Sequence, residues 1–243
     1  MKLLIIRHGD PNYEIDSLTP TGFREAELLS ERISKLDVKA FYLSPLGRAQ
    51  ATAVPTLKKM NRTGETLDWL REFPITLSEK NGIQGNTCIW DWLPESWTAD
   101  ACNFDKDRWL ENKVFQKANV EAKYREVCAE LDALLEKHGY KREGAYYRAV
   151  KPNEDTLVFF CHFGLECVLL SHLINVSPMV LWHGTCAAPT SVTTLVTEER
   201  RKGIAYFRMG SFGDTAHLYV AGEEPSFSAR FCETFDREDQ RHD

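Results

Sequence analysis

The stretch LLIIRHGD, residues 3–10, decides how this chain of 243 residues is interpreted. Its four apolar residues are typical of a buried β-strand, and they end abruptly in a guanidinium, an imidazole and a glycine. A buried strand normally ends in turn residues that water can solvate, because burying a charge without a partner is costly. The meaning of Arg7, His8 and Gly9 therefore depends on which other side chains reach the same end of the strand.

The overall composition is that of a globular protein. Hydrophobic residues make up 43% of the chain and charged residues 27%, which is enough for a substantial core. The formal net charge of −6 argues against a nucleic-acid partner. No apolar run approaches the roughly 18 residues of a membrane helix, so no membrane partner is expected. Seven scattered cysteines without a CxxC pair, and no secretory apolar region, favour a cytoplasmic protein with reduced thiols.

Short apolar segments alternate with amphipathic helices along most of the chain, which predicts an α/β fold with a mostly parallel sheet. Strands are predicted over residues 2–6, 40–43, 156–161, 191–196 and 204–209, with a weaker one over 66–70. Helices are predicted from residue 20, after residue 44, up to residue 138 and over 165–174. We expect one domain over residues 1–243, with an inserted lid or cap at about 74–112 where the alternation breaks.

Two of the predicted helices begin with a Ser or Thr followed by proline, a common start for a helix. Thr19 is predicted to cap the first helix, with Pro20 at its first position. Ser44 is predicted to cap the second helix in the same way, with Pro45 next. We expect this second helix to end or kink near Pro55, because proline lacks the amide that a helix interior needs.

Four basic side chains are predicted to meet at one edge of the sheet. Arg7 and His8 follow the first strand. Arg48 lies in the first turn of the helix after the second strand, and His162 follows strand 156–161. Ligands of open α/β sheets bind beyond the carboxyl ends of the strands. Arginine forks and helix N-termini both bind phosphate oxygens, so the sequence predicts a phosphate site here.

Each basic residue, taken alone, also has a simpler structural explanation. A lone arginine at a strand end is more often a surface charge, and a lone histidine is more often structural than catalytic. We assign such a structural role to His183 and to His217. His183 and Cys186 have the residue types of a zinc half-site, but no second pair with matching spacing follows, so no metal site is predicted.

The ordered set of motifs resembles the histidine phosphatase superfamily, whose fold is also called phosphoglycerate mutase-like. The matching segments are Arg7-His8-Gly9, Ser44-Pro45-Leu46-Gly47-Arg48-Ala49, Leu70-Arg71-Glu72-Phe73, Cys161-His162-Phe163-Gly164 and Gly213-Asp214-Thr215-Ala216-His217-Leu218. The letters RHG alone recur by chance, whereas the ordered set spans nearly the whole chain. The resemblance implies a three-layer αβα sandwich around a mostly parallel central sheet.

The resemblance also implies a role for each residue at the sheet edge. His8 would be the nucleophile that attacks phosphorus and forms a phosphohistidine. Arg7, Arg48 and His162 would surround the phosphoryl oxygens, where charge spreads during transfer. Gly9 would let the backbone come close to the phosphate because it has no Cβ. These groups supply the positive field, so no metal and no other cofactor is expected.

Two positions around the nucleophile are less well defined by the resemblance. Glu72 is implied as the general acid for the leaving oxygen and the general base for water, with Asp10 as its rival. Asp10 could instead orient the loop. After Arg7-His8-Gly9 the chain departs from the family pattern, because Pro11 stands where a threonine is usual. Asn12 is out of register with the family's asparagine, and we expect it to contribute a polar contact to the phosphate.

The resemblance therefore implies a histidine acid phosphatase-type phosphoric monoester hydrolase that acts on a small phosphorylated metabolite. A phosphoglycerate-type mutase stays open, although no added basic cluster is present for a substrate carboxylate. A non-catalytic phospholigand-binding module stays open too, although both His8 and His162 are present. A metal-dependent hydrolase would need a cluster of carboxylates or histidines, which the sequence does not contain.

The predicted insertion is the most aromatic part of the chain, with Trp90, Trp92 and Trp97 followed by Trp109. These tryptophans could line the leaving-group side of the pocket as part of a lid. Alternatively they anchor a segment with little regular structure to the core, which large aromatic side chains do well. We favour the anchoring role. Either way the insertion is expected to influence the choice of substrate.

Overall fold

The computed structural model describes residues 1–77, 87–228 and 230–242. An eight-stranded sheet forms its centre, in the order β5-β4-β10-β1-β11-β12-β9-β8, with two small two-stranded sheets beside it. The strands are β1 Lys2–Arg7, β2 Pro11–Asn12, β3 Ser17–Leu18, β4 Ala40–Leu43, β5 Glu65–Thr66, β6 Thr76–Leu77, β7 Thr87–Cys88, β8 Tyr140–Glu143, β9 Tyr146–Ala149, β10 Thr156–Cys161, β11 Val192–Arg201 and β12 Ile204–Asp214.

The half of the central sheet that carries the predicted site is parallel. Strands β5, β4, β10 and β1 pair in parallel, and in the β1–β10 register Arg7 lies opposite Cys161. The side chains that follow these two strands therefore leave the sheet side by side. Strands β11, β12, β9 and β8 extend the sheet in antiparallel pairs. Most strands still run in the direction of β1, as the sequence predicts.

Helices cover both faces of this sheet, so the predicted three-layer αβα architecture is confirmed. The helices are α1 Pro20–Ile33, α2 Gly47–Met60, α3 Pro94–Trp97, α4 Lys113–Lys117, α5 Val120–Lys137, α6 Phe163–Ile174, α7 Pro178–Gly184 and α8 Ala216–Val220. On one face Leu4 and Ile6 pack against Leu29 and Ile33 of α1. On the other face the alternate strand residues join the larger core with α5, α6 and α7. Successive side chains of β1 point to opposite faces of the sheet, so they pack alternately into two separate hydrophobic cores.

Helix α1 begins as predicted, whereas α2 does not. The hydroxyl of Thr19 accepts a hydrogen bond from the Gly22 amide, and Pro20 is the first helical residue. Helix α2 begins at Gly47 rather than at Pro45, and it continues through Pro55 to Met60. The prediction that Ser44 caps this helix was therefore wrong. Its apolar face continues past the proline, because Leu57 and Met60 pack on the core after it.

The segment between residues 74 and 112 contains little regular structure where it is described. It has the β6–β7 pair, the short helix α3 and 3₁₀ turns at Ala101–Phe104 and Trp109–Glu111, while residues 78–86 lie outside the described residues. Trp92 and Trp109 are buried in the larger core. This packing agrees with the anchoring role. The description of the chain as one domain with an inserted cap stays a prediction.

Three further features concern the chain as a whole. The hairpin β8–β9 was not predicted, and the predicted strand over 66–70 is a short strand followed by a 3₁₀ turn at Asp68–Leu70. No disulfide joins any of the described cysteines, and Cys102, Cys128, Cys161 and Cys167 are buried. Among the described residues, no helix is both long and apolar enough to cross a membrane.

Candidate active site

The two histidines of the predicted site lie next to each other at the carboxyl ends of β1 and β10. The ring centroids of His8 and His162 are 5.1 Å apart, with the rings inclined by 55°. Their exposed fractions are 2% and 0%. Two imidazoles held this close and this far from water cannot both be protonated at low cost. The pair is therefore arranged to work with little positive charge of its own.

The backbone around His8 is held from several sides. The His8 amide donates to the carbonyl of Cys161, and the His8 carbonyl accepts from Thr190. The next two amides bind side chains of the helices on one face: Gly9 donates to the Thr52 hydroxyl at 2.9 Å, and Asp10 to the Glu25 carboxylate at 2.8 Å. These contacts come from β10, the segment before β11, α2 and α1. The candidate nucleophile is thus fixed before any substrate binds.

The hydrogen bond at Nδ1 fixes the tautomer of His8. This nitrogen lies 2.8 Å from the carbonyl oxygen of Gly9. Because a carbonyl can only accept, Nδ1 carries the proton and Nε2 keeps its lone pair when the ring is neutral. Burial lowers the pKa of His8 well below its usual value, and the charges of Arg7 and Arg48 lower it further. The lowered pKa therefore favours a neutral His8 ring whose Nε2 keeps its lone pair.

Ser44 orients the second histidine. Its hydroxyl oxygen lies 2.7 Å from Nε2 of His162 and accepts a hydrogen bond from the Leu46 amide at 3.2 Å. A hydroxyl that accepts from an amide has its own proton free to donate to Nε2, which favours the proton of a neutral His162 on Nδ1. Among the described residues this buried Nδ1 has no hydrogen-bond partner. It is a donor available to a bound oxyanion.

Both arginines of the predicted site are anchored through one terminal nitrogen. Nη1 of Arg7 donates to the carbonyl of Ala187 at 2.6 Å, and Nη1 of Arg48 to the carboxylate of Asp16 at 2.6 Å. In both side chains Nε is buried and has no hydrogen-bond partner in the part of the chain described. Nε and Nη2 form the edge of a guanidinium that binds two phosphate oxygens together. Each arginine therefore keeps that edge available.

Glu72 lies at the N-terminus of α6, close to His162. Its carboxylate accepts hydrogen bonds from the amides of Phe73 at 2.8 Å, Leu165 at 2.9 Å and Gly164 at 3.4 Å. Burial raises the pKa of Glu72, and these amides and the charge of Arg7 only partly offset that effect. A carboxyl that holds its proton at higher pH than usual is suited to donate it to a leaving oxygen.

A comparison with protein families identifies one family that matches most of the chain. The family model of the histidine phosphatase superfamily (branch 1) matches residues 3–209, which include every predicted site residue. The chain belongs to the histidine phosphatase superfamily. Membership in this superfamily supports a phosphatase-type enzyme. No curated protein sequence matches the chain at a significant level.

Several solved structures have a similar fold over most of the length of this chain. One is a phosphoserine phosphatase from Entamoeba histolytica, solved as a histidine-to-alanine mutant in complex with phosphoserine. It is 19% identical in sequence and has a TM-score of 0.58. The match covers 89% of this chain and 98% of that chain. A mycobacterial glucosyl-3-phosphoglycerate phosphatase in complex with VO3 is 20% identical with a TM-score of 0.54, covering 87% and 98%. At these identities the likeness shows the fold.

Three predicted residues that follow His8 also make contacts within the protein. The side-chain oxygen of Asn12 accepts a hydrogen bond from the Glu14 amide at 3.1 Å, so it stabilises its own turn. Asp10 accepts from the hydroxyl of Thr19 at 2.7 Å, which fits the alternative role of orienting the loop. Gly9 is constrained by helix packing, because a Cβ there would lie 2.8 Å from the carbonyl oxygen of Gly22. Its missing side chain therefore allows the close approach of α1, while the predicted approach of phosphate to Gly9 stays a prediction.

The remaining histidines considered for the superfamily site have protein partners. Nδ1 of His183 lies 2.8 Å from the carbonyl of Met179, and its ring stacks on Trp97 with centroids 5.1 Å apart. Nε2 of His217 lies 3.0 Å from the hydroxyl of Thr190, and burial lowers the pKa of His217 to about 4. Within the described residues, no group of three or more His, Cys, Asp or Glu side chains could hold a metal ion.

Sequence reasoning missed three residues around this site. Ser44 was interpreted as a helix cap, although its hydroxyl contacts His162. Asp16 binds Arg48, and no sequence signal singles it out because the two residues are 32 positions apart. Glu166 is 1% exposed, and neither carboxylate oxygen has a hydrogen-bond partner among the described residues. The sequence does contain a signal for Glu166: it is an acidic residue directly before the apolar run Cys167-Val168-Leu169-Leu170.

Proposed function

We propose that this protein is a histidine acid phosphatase-type hydrolase that cleaves a small-molecule phosphomonoester through a phosphohistidine on His8, without a metal. One observation carries the proposal. The rings of His8 and His162 lie 5.1 Å apart, and both neighbouring arginines, Arg7 and Arg48, keep a buried Nε without a partner among the described residues. This combination suits a tetrahedral dianion and one attacking nitrogen.

In the first step Nε2 of His8 attacks phosphorus. A P–N bond forms as the P–O bond to the leaving group breaks, and the electron pair of that bond stays on the leaving oxygen. Glu72 gives its proton to this oxygen, so an alcohol leaves and Glu72 becomes a carboxylate. The raised pKa of Glu72 supports its role as the acid, and the lowered pKa of His8 supports its role as the nucleophile.

Charge spreads over the equatorial phosphoryl oxygens as the bond to the leaving group stretches. Arg7 and Arg48 each offer an Nε–Nη2 edge to these oxygens, and Nδ1 of His162 offers a further donor. Because these donors are buried and anchored before the substrate arrives, they need little reorganisation during transfer. Their positive charge is the reason that the proposed mechanism works without a metal.

In the second step water attacks the phosphohistidine. The Glu72 carboxylate takes a proton from this water, the O–P bond forms and the P–N bond breaks. Inorganic phosphate leaves and His8 recovers its lone pair on Nε2, which completes the cycle. The amides of Leu165 and Gly164 hold the Glu72 carboxylate in place between the two proton transfers.

The residues described so far bind the phosphoryl group and do not select among phosphate esters. The histidines and arginines recognise only the phosphoryl group, so any selectivity comes from the leaving-group side. The similar phosphoserine phosphatase from Entamoeba histolytica has been solved in complex with phosphoserine and with 3-phosphoglyceric acid. We propose a small phosphorylated metabolite of this size for the present protein as well.

A phosphatase assay with p-nitrophenyl phosphate tests this function. We expect turnover that survives EDTA and is inhibited by vanadate, with release of inorganic phosphate from a panel of phosphate esters. H8A should lose both turnover and acid-labile phosphate on the protein. Turnover that disappears in EDTA and returns with zinc or magnesium would overturn the metal-free mechanism. Transfer of phosphate back to a sugar acid, with little release, would instead identify a mutase.

A further inference from the structure

We propose that Asp16 is a positioning residue for Arg48: it fixes the guanidinium so that the Nε–Nη2 edge is ready for the phosphate oxygens. This inference rests on the proposed function, because it assigns the role through which Arg48 binds phosphate. Asp16 lies in the loop between β2 and β3, a hairpin over residues 11–18 that follows the nucleophile directly.

One carboxylate joins Arg48 to the helix that carries it. Oδ1 of Asp16 lies 2.6 Å from Nη1 of Arg48, and Oδ2 accepts the amide hydrogen of Gly47 at 2.7 Å. The second bond satisfies an amide in the first turn of α2 that has no partner within the helix. The bond from the Gly47 amide holds the carboxylate in place, so the bond to Nη1 ties the guanidinium to a fixed acceptor. Asp16 therefore fixes where Nη1 of Arg48 lies.

The backbone at this point is built for close contact. Asp16 has a φ of +45°, a left-handed conformation that Asp and Asn tolerate better than most residues. A Cβ at Gly47 would lie 2.1 Å from the carbonyl oxygen of Asp16. Only a residue without a side chain can occupy position 47 with the hairpin where it is. The hairpin thus lies directly on the start of α2, which brings its carboxylate within reach of Arg48.

The rest of the guanidinium is enclosed in a way that leaves one edge for a ligand. The ring centroid of Tyr13, on the same hairpin, lies 5.3 Å from Cζ of Arg48 and covers one face. Nη1 of Arg48 donates to the carboxylate of Asp16, while Nε is buried without a partner among the described residues. The Arg48 side chain is 12% exposed, so little water reaches it. A phosphate that binds here finds a side chain already ordered.

Because Asp16 is negatively charged, its removal could either weaken or strengthen the binding of phosphate, and the direction distinguishes two roles. Burial would raise the pKa of Asp16, but the Gly47 amide and the Arg48 guanidinium outweigh it and lower the pKa. Asp16 is therefore an anion wherever the enzyme works. An anion beside Arg48 also repels a phosphate dianion. If positioning dominates, removing the charge weakens phosphate binding; if repulsion dominates, removing it strengthens binding.

The variant D16N separates these two effects. Asparagine tolerates the left-handed backbone, and its side-chain oxygen can still accept the Gly47 amide. Its NH₂ group then faces Nη1 of Arg48, two donors together, so the guanidinium loses its anchor. We expect the dissociation constant of inorganic phosphate, measured by calorimetry, to rise about 3- to 10-fold, as for one side chain that must be ordered on binding. KM for p-nitrophenyl phosphate should rise in parallel.

Two comparisons make the result specific to Arg48. E198Q removes a carboxylate from an exposed pair with Arg208, at 2.7 Å on strands β11 and β12, and should leave phosphate affinity unchanged. In an R48A background D16N should have no further effect, because the residue that it positions is gone. Retention of the effect in R48A would overturn the proposal, because Asp16 would then act through the start of α2.

Tighter phosphate binding by D16N would also overturn the proposal and identify Asp16 as a competing anion. Calorimetry with inorganic phosphate needs no turnover, so the result is separable from the proposed function. A wild-type protein that binds phosphate but hydrolyses no ester refutes the hydrolase while the role of Asp16 stands on the D16N titration. A wild-type protein that binds no phosphate refutes both.

Discussion

The hydroxyl oxygen of Ser44 lies 2.7 Å from Nε2 of His162, across 118 positions of sequence. Ser44 follows β4 and His162 follows β10, and these strands are neighbours in the sheet. The motif that supplies Arg48 therefore also orients the second histidine. The end of one strand determines which nitrogen of the next strand's histidine faces the site.

Replacement of Ser44 tests this orientation. S44A removes the donor to Nε2 of His162 and the acceptor for the Leu46 amide. We expect kcat to fall about 5- to 30-fold, corresponding to the ~1–2 kcal/mol of a buried hydrogen bond, with a smaller change in KM. S30A is the matched control, because Ser30 is equally buried but its hydroxyl donates within α1. An equal loss in both variants would refute the orienting role of Ser44.

The proposed role of Glu72 as general acid predicts that the effect of replacing it depends on the leaving group. E72Q keeps an oxygen for the amides of Phe73 and Leu165 but has no proton to give. We expect kcat to fall about 10²- to 10⁴-fold with alkyl phosphates and much less with p-nitrophenyl phosphate, whose leaving group needs no protonation. E25Q is a control for loss of a buried carboxyl: Glu25 also accepts backbone amides and has a raised pKa, mainly through burial, and it holds the loop after His8, so any loss of kcat in E25Q should be equal on both esters. Equal losses of E72Q on both esters would make Glu72 structural.

The buried Glu166 predicts an unusual dependence of stability on pH. Burial raises its pKa from about 4.5 to about 8, and the positive charge of Arg7 only partly opposes this. Between these values the folded protein holds a proton that the unfolded chain releases, so the free energy of unfolding falls as pH rises from about 4 to 8. Each pKa unit corresponds to about 1.4 kcal/mol.

E166Q removes this titration while it keeps the shape of the side chain. We expect the variant to be more stable than the wild type at pH 8, by an amount on the order of a few kcal/mol. At pH 4 the two proteins should differ much less, because Glu166 is then protonated in both states. Urea unfolding at pH 4, 6 and 8 measures the difference. An offset that is the same at all three values would contradict the assigned cause.

The tryptophans of segment 74–112 should differ in their effect on catalysis. Trp90 packs on Gly164, where a Cβ would lie 2.2 Å from its ring, and the Gly164 amide contacts Glu72. W90A should therefore loosen the first turn of α6 and lower kcat for alkyl phosphates about 3- to 10-fold, an effect of ~1 kcal/mol. W97A is the control, because Trp97 is also half-buried but stacks on His183. A larger loss in W97A would refute this assignment.

Local patterns explain which parts of the fold could be predicted. Strands β1 and β10 are apolar runs that end in basic residues, and Thr19-Pro20 is a helix start that needs only its own amides. The hairpin β8–β9 could not be recognised, because its strand Tyr140–Glu143 reads YKRE and lies mostly at the surface. Proline at position 55 signalled a helix end, but packing of the residues after it outweighed the lost hydrogen bond.

The residues of the candidate site likewise fall into those that local patterns predict and those that only the fold reveals. Arg7, His8, Arg48 and His162 were predicted because parallel strands bring their carboxyl ends together, a rule that needs no knowledge of side-chain partners. Contacts between distant positions follow no such rule. The Ser44 hydroxyl has two possible uses, a local cap or a bond to a histidine from another strand, and only the fold decides between them. The positions of Asp16 and Glu166 likewise depend on tertiary packing.

The contact between Gly9 and Gly22 has a practical consequence for engineering. A Cβ at Gly9 would lie 2.8 Å from the Gly22 carbonyl oxygen, and one at Gly22 would lie 2.2 Å from the Asp10 carbonyl oxygen. Neither obstacle is a side chain that a second mutation could trim. Libraries designed to broaden the range of accepted esters should therefore keep both glycines fixed. Diversity is better introduced at exposed positions such as Tyr13.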